Sequence, residues 1–148
     1  MSGVSKESLA RVVLSSLSVA VVGTDFAGMV KLERFLLGTL PADAVVIACT
    51  LDVLIPFDEL NSLTLTSWFE VYDSVLDEYQ RITLPVNVDN VDAVAGVYQP
   101  RFDFDEQNGM LMAGRDVLVL FDSQSVPLDT WTVGSLVATV YYSQPGAV

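Results

Sequence analysis

Apolar and polar residues follow one rhythm over most of this chain. Apolar side chains alternate with small or polar ones, a period of two that is typical of strands with one buried face. The segments with this pattern are MVKLERFLL, VNVDNV, AVAGVYQPRFDFD, DVLVLFDS and LVATVYYS. They recur at short intervals with turn residues between them. The pattern therefore predicts an all-β fold, an antiparallel sandwich or barrel.

One segment is apolar over most of its length. DAVVIACTLDVLIP runs from Asp43 to a closing Pro56, and Thr50 and Asp52 are the polar residues inside it. Apolar runs of this kind are typical of strands buried on both faces. We therefore expect a central strand here.

The first 23 residues carry mixed signals. Several apolar residues are spaced three and four apart, as in a helix, whereas the β-branched content of Val12–Val22 favours a strand. We expect a short helical or irregular start that leads into a strand. Residues 1–23 would then be an arm or an extra strand, and 24–148 the main body of a single domain.

Residues 67–79 show a second rhythm. Ser67 precedes Glu70 by three residues, the spacing of a capping box at the start of a helix. Large side chains follow at helical spacing, with acidic residues between them. These large residues are Trp68, Phe69, Tyr72, Val75, Leu76 and Tyr79. The sequence therefore predicts one short helix, at about residues 67–79, that runs directly into a strand.

The order of these elements resembles the single jelly-roll capsid proteins of small icosahedral viruses. Many of these have a short helix between two strands, with a Y-D-x-Y-R-I type sequence at its exit, and VYDSVLDEYQRITLPVNV places Tyr79, Arg81 and Ile82 there. The segment DVLVLFDS, followed by GSLVATVYYS, is similar to the last two strands of that family. The resemblance covers roughly residues 30–143.

The resemblance implies a structural role. It predicts an antiparallel jelly-roll sandwich whose function is to self-assemble, with other copies of itself as partners, into an icosahedral shell. The protein would be found in the virion, and in the host cytoplasm before assembly. One departure is that the amino-terminal residues 1–8 hold a single Lys, where many such proteins have a basic arm for the genome.

Composition supports assembly and argues against two other partners. Hydrophobic residues make up 51% of the chain and charged residues 18%, below the usual ~25%, so apolar surface is expected to be buried between copies. The net charge is −12 and the seven Lys and Arg residues are scattered. Nucleic acids and anionic membranes attract clustered cations, so we expect neither a nucleic-acid surface nor membrane binding on this chain.

The residues needed for most catalytic sites are missing from the sequence. There is no His, and the one cysteine, Cys49, lies in an apolar run where a buried, inert thiol is expected. No D-[ST]-G motif, Gly-rich phosphate loop or dinucleotide fingerprint occurs. We therefore expect a protein that is not an enzyme.

Acidic residues offer a candidate metal site. Asp103 and Asp105 are two apart, so on a strand both carboxylates leave the same face, and Glu106 follows. Oxygen ligands of this kind suit calcium, and calcium held between subunits is common in the family that the chain resembles. Asp89 and Asp92 form a second acidic pair. The simpler alternative in both places is a solvated acidic surface.

Aromatic residues leave one other function open. Trp68, Trp131, Tyr141 and Tyr142 would form a sugar-stacking platform if they shared an exposed face. The alternative to a shell protein is therefore a non-enzymatic ligand-binding β-sandwich, such as a carbohydrate-binding or trimeric signalling-type module.

Overall fold

The structure is a computed structural model that describes residues 12–58, 63–103, 114–124 and 126–145. Strands dominate these ranges, and two 3-10 turns, Gly23–Phe26 and Leu128–Thr130, lie between them. In chain order the strands are β1 Val12–Val22, β2 Leu32–Thr39, β3 Val45–Asp58, β4 Leu65–Asp73, β5 Glu78–Arg81, β6 Val86–Asn87, β7 Gly96–Tyr98, β8 Asp116–Ser123 and β9 Val133–Pro145.

The strands form two antiparallel sheets. One has the order β1-β9-β3-β7, and the other has the order β2-β8-β4-β5, with the short β6 paired to β4 beside β5. Along the chain β1, β2, β3 and β4 alternate between the sheets, and so do β7, β8 and β9. The two sheets pack as a sandwich around one apolar core. The predicted all-β antiparallel sandwich is confirmed.

The core is built from alternate residues of the longest strands. On β9 the buried residues Leu136, Ala138 and Val140 face inward, and on β8 Val117 and Val119 face them from the other sheet. The residues between them point outward and are only partly buried. The alternation of apolar and polar residues in the sequence thus follows from this two-layer packing, in which every second residue of a strand faces the core.

Four phenylalanines join the sheets at one end of the sandwich. Phe57 on β3 and Phe121 on β8 come from opposite sheets, with ring centroids 5.8 Å apart. Phe26, in the first 3-10 turn, lies 5.1 Å from Phe121 and 5.5 Å from Phe57, and Phe35 on β2 packs 5.7 Å from Phe121. We call these four residues the phenylalanine cluster. Its tilted and edge-on geometries are those that aromatic rings prefer.

Gly134 makes room for this cluster. Its φ of 143° lies in a region that other residues rarely adopt. A Cβ atom added there would come within 2.3 Å of Cδ1 of Phe57. The glycine at the start of the last strand is therefore required by a close approach of the backbone to an aromatic ring.

The predicted helix at residues 67–79 is wrong. This segment is a β-hairpin in which β4 pairs with β5 from Glu70↔Arg81 to Asp73↔Glu78. The helical spacing is misleading because β4 has large side chains on both faces: Phe69 is buried in the core, whereas Trp68 lies on the outer face. Because large side chains lie on both faces of β4, the alternation of apolar and polar residues that marks a strand is weak here.

The turn of this hairpin is built by Asp73. Its Oδ1 accepts hydrogen bonds from the backbone N–H groups of Val75 (3.0 Å) and Leu76 (3.3 Å). Asp77 has a φ of 55°, a left-handed conformation that Asp tolerates better than most residues. Val75 and Leu76, expected on the buried side of a helix, are therefore 90% and 59% exposed at the tip.

The expectations for the apolar run at β3 and for the first 23 residues are each correct only in part. β3 is a long central strand, but only its inner face is buried: Ile47, Leu54 and Ile55 are exposed on the outer side. The expectation that it is buried on both faces is wrong, because the sandwich has only two layers. Of the first 23 residues, Val12–Val22 form strand β1 at the edge of the four-stranded sheet, and residues 1–11 lie outside the described part of the chain.

We expect Phe121→Ala to lower the free energy of unfolding by about 3–5 kcal/mol, because it removes the ring that contacts the three other members of the phenylalanine cluster. Urea unfolding followed by tryptophan fluorescence would measure this loss. Val75→Ala at the exposed hairpin tip is the matched control and should change stability by less than ~0.5 kcal/mol. Equal effects of the two substitutions would contradict the central role of the cluster.

Candidate functional site

The outer face of the five-stranded sheet carries a dense group of aromatic and charged side chains. We call it the aromatic–arginine cluster. Its members are Arg34, Trp68, Glu70, Tyr72, Tyr79 and Arg81.

Strand register explains why these residues meet. Trp68, Glu70 and Tyr72 alternate along β4, so all three leave the same face of the sheet. On β5, Arg81 lies opposite Glu70 and Tyr79 lies opposite Tyr72. Arg34 arrives from β2 on the far side of β8, where Leu120 is the cross-strand partner of both Arg34 and Trp68. Four adjacent strands thus build one surface.

Glu70 is the centre of this cluster. Its Oε1 accepts a hydrogen bond from Nε of Arg34 at 2.7 Å, and its Oε2 accepts one from Nε1 of Trp68 at 2.8 Å. The Glu70 side chain is only 8% exposed although it lies on the outer face of the sheet. A nearly buried carboxylate is tolerated here because both oxygens are hydrogen-bonded and one partner is a cation.

Aromatic rings and guanidinium groups cover the carboxylate. The Arg34 guanidinium lies 3.9 Å from the ring centroid of Tyr79, and that of Arg81 lies 5.8 Å from the ring of Trp68. The rings of Tyr72 and Tyr79 are 5.0 Å apart. The Tyr72 hydroxyl donates a hydrogen bond to Asp77, which raises the pKa of Tyr72. Each member is therefore held by at least one neighbour.

The structure describes one of the three predicted metal ligands. Asp103 follows an isolated bridge between Phe102 and Thr83, and its Oδ2 accepts a hydrogen bond from Nε of Arg81 at 2.8 Å. Asp105 and Glu106 lie outside the described residues. Within the described ranges, no three His, Cys, Asp or Glu side chains come together as a metal site. The calcium site at Asp103, Asp105 and Glu106 stays a prediction, and a cation there would compete with Arg81.

The second acidic pair has a structural role. Asp89 is fully buried, and its carboxylate accepts backbone hydrogen bonds from Leu65 (3.1 Å), Val91 (3.1 Å) and Asp92 (3.0 Å). It thereby ties the loop after β6 to the start of β4. The pKa of the exposed Asp92 is raised, first by the charge of Asp89 and then by desolvation and a hydrogen bond to Asp89.

The four aromatic residues considered for sugar stacking do not share a face. Trp131 is fully buried, and its Nε1 donates a hydrogen bond to Oγ of Ser123 at 2.9 Å. Trp131 therefore has no exposed ring on which a sugar could stack, because the 3-10 turn before it places the ring in the core. Tyr142 is buried on the inner face of β9, Tyr141 lies on the outer face, and Trp68 belongs to the opposite sheet.

Cys49 is buried, as expected. It lies on the inner face of β3 in register with Val140 of β9. Burial raises the pKa of its thiol to about 12. Because the thiolate is the reactive form, a thiol in this environment is a poor nucleophile.

The charged groups of the aromatic–arginine cluster are all ion-paired: Arg34 pairs with Glu70, and Arg81 pairs with Asp103. Trp, Tyr and Arg are the residues most enriched in the central contacts of protein–protein interfaces. Sequence reasoning missed this cluster because it assigned Trp68, Tyr72 and Tyr79 to a helix. The two-residue steps between Trp68, Glu70 and Tyr72 were the available signal.

Solved structures identify the fold as one found in phage capsid chains. Three similar structures are the acidic stable capsid of Helicobacter pylori bacteriophage KHP30 (TM-score 0.54, 14% identity), the capsid of Ralstonia phage GP4 (0.57, 15%) and the capsid asymmetric unit of cyanophage Pam1 (0.54, 16%). The matches cover 92%, 92% and 91% of this chain and 91%, 86% and 86% of the respective capsid chains. At these identities the likeness shows the fold. Neither a protein-family model nor a curated protein sequence matches the chain.

The described residues also include no helix long and apolar enough to cross a membrane.

We expect Glu70→Ala to destabilise the fold by about 1–3 kcal/mol, because it leaves the Arg34 guanidinium and the Trp68 indole N–H without their acceptor. Glu70→Gln keeps one acceptor oxygen and should cost less. The control is Glu78→Ala, which removes an exposed carboxylate from the neighbouring strand. If urea midpoints of the Glu70→Ala and Glu78→Ala variants coincide, the cluster does not depend on Glu70.

We expect Asp92→Asn to raise the unfolding temperature at pH 7. The raised pKa of Asp92 means that the folded state binds this proton more tightly than the unfolded state, so stability falls as pH rises from the ordinary Asp pKa of 3.8 through the raised pKa of the folded state. The advantage of the variant should therefore shrink towards zero below about pH 4. Thermal unfolding across this pH range, with Asp129→Asn as the control, measures the effect. A gain that is independent of pH would contradict the repulsion between Asp89 and Asp92.

Proposed function

We propose that this protein is a structural subunit of a virus capsid and that it assembles with other copies of itself. The observation that carries this proposal is the extent of the fold match. It spans at least 91% of this chain and at least 86% of each of three phage capsid chains. A match over almost the whole of both chains relates entire domains of similar length, and not a fragment embedded in a larger architecture.

The strand order supports a jelly roll. Apart from the two-residue β6, eight strands divide into sheets of four, and most connections pass from one sheet to the other. This is the arrangement of a double-sheet jelly roll, in which crossing connections close the edges of the sandwich. We therefore infer that the helix common in this class of shell protein is replaced here by the β4–β5 hairpin.

The role we propose is not enzymatic. The polar side chains gathered on the five-stranded sheet are locked into mutual hydrogen bonds, and Cys49 is a buried thiol with a raised pKa. The aromatic–arginine cluster is better suited to contact a neighbouring subunit than to bind a substrate. The separation of Trp68, Trp131, Tyr141 and Tyr142 removes the observation that favoured a carbohydrate-binding module.

Charge supports a shell that leaves the genome to other components. Arg34, Arg81 and Arg115 are each ion-paired with a carboxylate, at Glu70, Asp103 and Asp73 respectively. With a net charge of −12, the chain has little cationic surface to offer phosphates. The protein would act in the virion and reach it from the host cytoplasm. Salt, or calcium bound at Asp103, Asp105 and Glu106, would reduce the electrostatic repulsion between copies.

We expect the purified chain to form particles in the megadalton range. Size-exclusion chromatography with light scattering, followed by electron microscopy, would detect them. The run is made with calcium and repeated with a chelator, and Asp103→Asn with Asp105→Asn is compared in both buffers. Particles that dissociate with chelator only in the unsubstituted protein would support the calcium site. A 16.1 kDa monomer or a trimer in both buffers would contradict the shell proposal.

A further inference from the structure

The edge of the four-stranded sheet formed by β1 is unusual among the four sheet edges. β1 is eleven residues long and pairs with β9 in unbroken register from Val12↔Pro145 to Val22↔Ser135. Strands in globular proteins usually have about five or six residues. Within the described residues, no strand pairs with the other side of β1. A long row of backbone N–H and C=O groups therefore faces away from the sheet.

The other three edges carry devices that oppose pairing. β2 has Glu33 and Arg34 and a register shift between Leu36 and Gly38. β5 has only four residues, including Glu78 and Arg81, and β7 has only three. Charges, bulges and short length are the means by which proteins protect exposed edges. These edges are suited to remain unpaired.

β1 has none of these devices. Its sequence, VVLSSLSVAVV, contains no charged residue and no proline. Its outward side chains are small or apolar and exposed; they are Leu14, Ser16, Ser18, Ala20 and Val22. On β9 and β3, the residues in register with these five include one charged side chain, Asp52. A strand that approaches this edge therefore meets an almost uncharged surface.

The charge of the whole chain indicates what the partner is. A basic partner would be attracted to surfaces rich in carboxylates. The β1 strand has no carboxylate side chain, so it is not suited to a basic partner. Two copies of a chain with a net charge of −12 repel each other wherever carboxylates face carboxylates. The uncharged β1 edge is a place where a second copy can approach without that cost.

The sequence of β1 is also nearly symmetric about its centre. If two β1 strands pair antiparallel with Leu17 opposite Leu17, Leu14 faces Ala20 and Ser16 faces Ser18 of the other copy. These pairs are neutral, so no like charges oppose each other across the pairing, where they would destabilise it. A two-fold axis through Leu17 gives each copy the same contacts, as an isologous interface requires.

We propose that β1 is the edge through which two copies of this chain join, by antiparallel β1–β1 pairing about Leu17, into one continuous eight-stranded sheet. This inference rests on the proposed function for its partner, a second copy of the chain. The pairing runs over ~37 Å, since an antiparallel strand rises about 3.4 Å per residue.

Charge substitutions on β1 test the proposal directly. Ser16→Lys with Ser18→Lys places like charges opposite one another across the two-fold axis, and we expect the dimer to dissociate at a concentration at least about tenfold higher. Ser16→Glu with Ser18→Lys places opposite charges across the same axis and should restore dimerisation. Both serines are exposed, so the monomer fold should not change. Ser74→Lys with Gln99→Lys adds the same charge at exposed positions outside β1 and should dimerise like the unsubstituted chain.

Two measurements on the full chain decide the outcome. Light scattering over a dilution series gives the concentration at which the dimer dissociates. Hydrogen exchange of residues 12–22 reports whether the outer amides of β1 become protected over the same range of concentrations. Equal dimerisation of all variants would overturn the proposal, and equal weakening of both β1 variants would overturn pairing about Leu17. Outer amides that are already protected in a monomer would assign the edge to a segment of the same chain.

These results are independent of the shell measurement. Dimerisation that is unchanged by Ser16→Lys with Ser18→Lys, in a chain that still forms particles, would overturn β1 pairing and leave the shell proposal standing. A dimer that responds to the β1 variants but never forms particles would support the pairing and contradict the shell.

Discussion

The packing of Phe57 against Phe121 is the contact on which the rest of the structure depends. These residues belong to opposite sheets, and Phe26 and Phe35 surround them. Aromatic side chains bury more apolar area than any other residues, so a cluster of four supplies a large part of what holds two layers together. Gly134 lets the start of β9 pass close to Phe57, which fixes the last strand over this end of the core.

Because the core fills the space between the sheets, the two outer faces are free to differ. The five-stranded sheet presents Trp, Tyr and Arg side chains bound around the carboxylate of Glu70. The four-stranded sheet presents mostly small and apolar side chains, with Tyr141 and Asp52 among them, and ends at the uncharged β1. In an assembling protein this difference matters, since two chemically distinct surfaces allow two distinct kinds of contact.

The hairpin at β4 and β5 shows where reasoning from sequence failed. Five large residues of this segment match helical spacing but lie in three different places. Phe69 is in the core, Trp68 and Tyr72 are on the outer face, and Val75 and Leu76 are in an exposed turn. Alternation of apolar and polar residues identifies a strand only when one face is polar. Here the outer face also carries large aromatic side chains, which are covered by Arg34, from a strand more than thirty residues earlier, and by Arg81.

The sequence by itself determined the all-β class and the buried state of Cys49, because the first follows from the local alternation of side chains and the second from the apolar run around the thiol. Only the tertiary structure decided that residues 67–79 form a hairpin, that Trp131 is buried, and that Asp103 pairs with Arg81. It also decided which strands lie at edges. These features depend on contacts between residues far apart in the chain, and no local pattern encodes them.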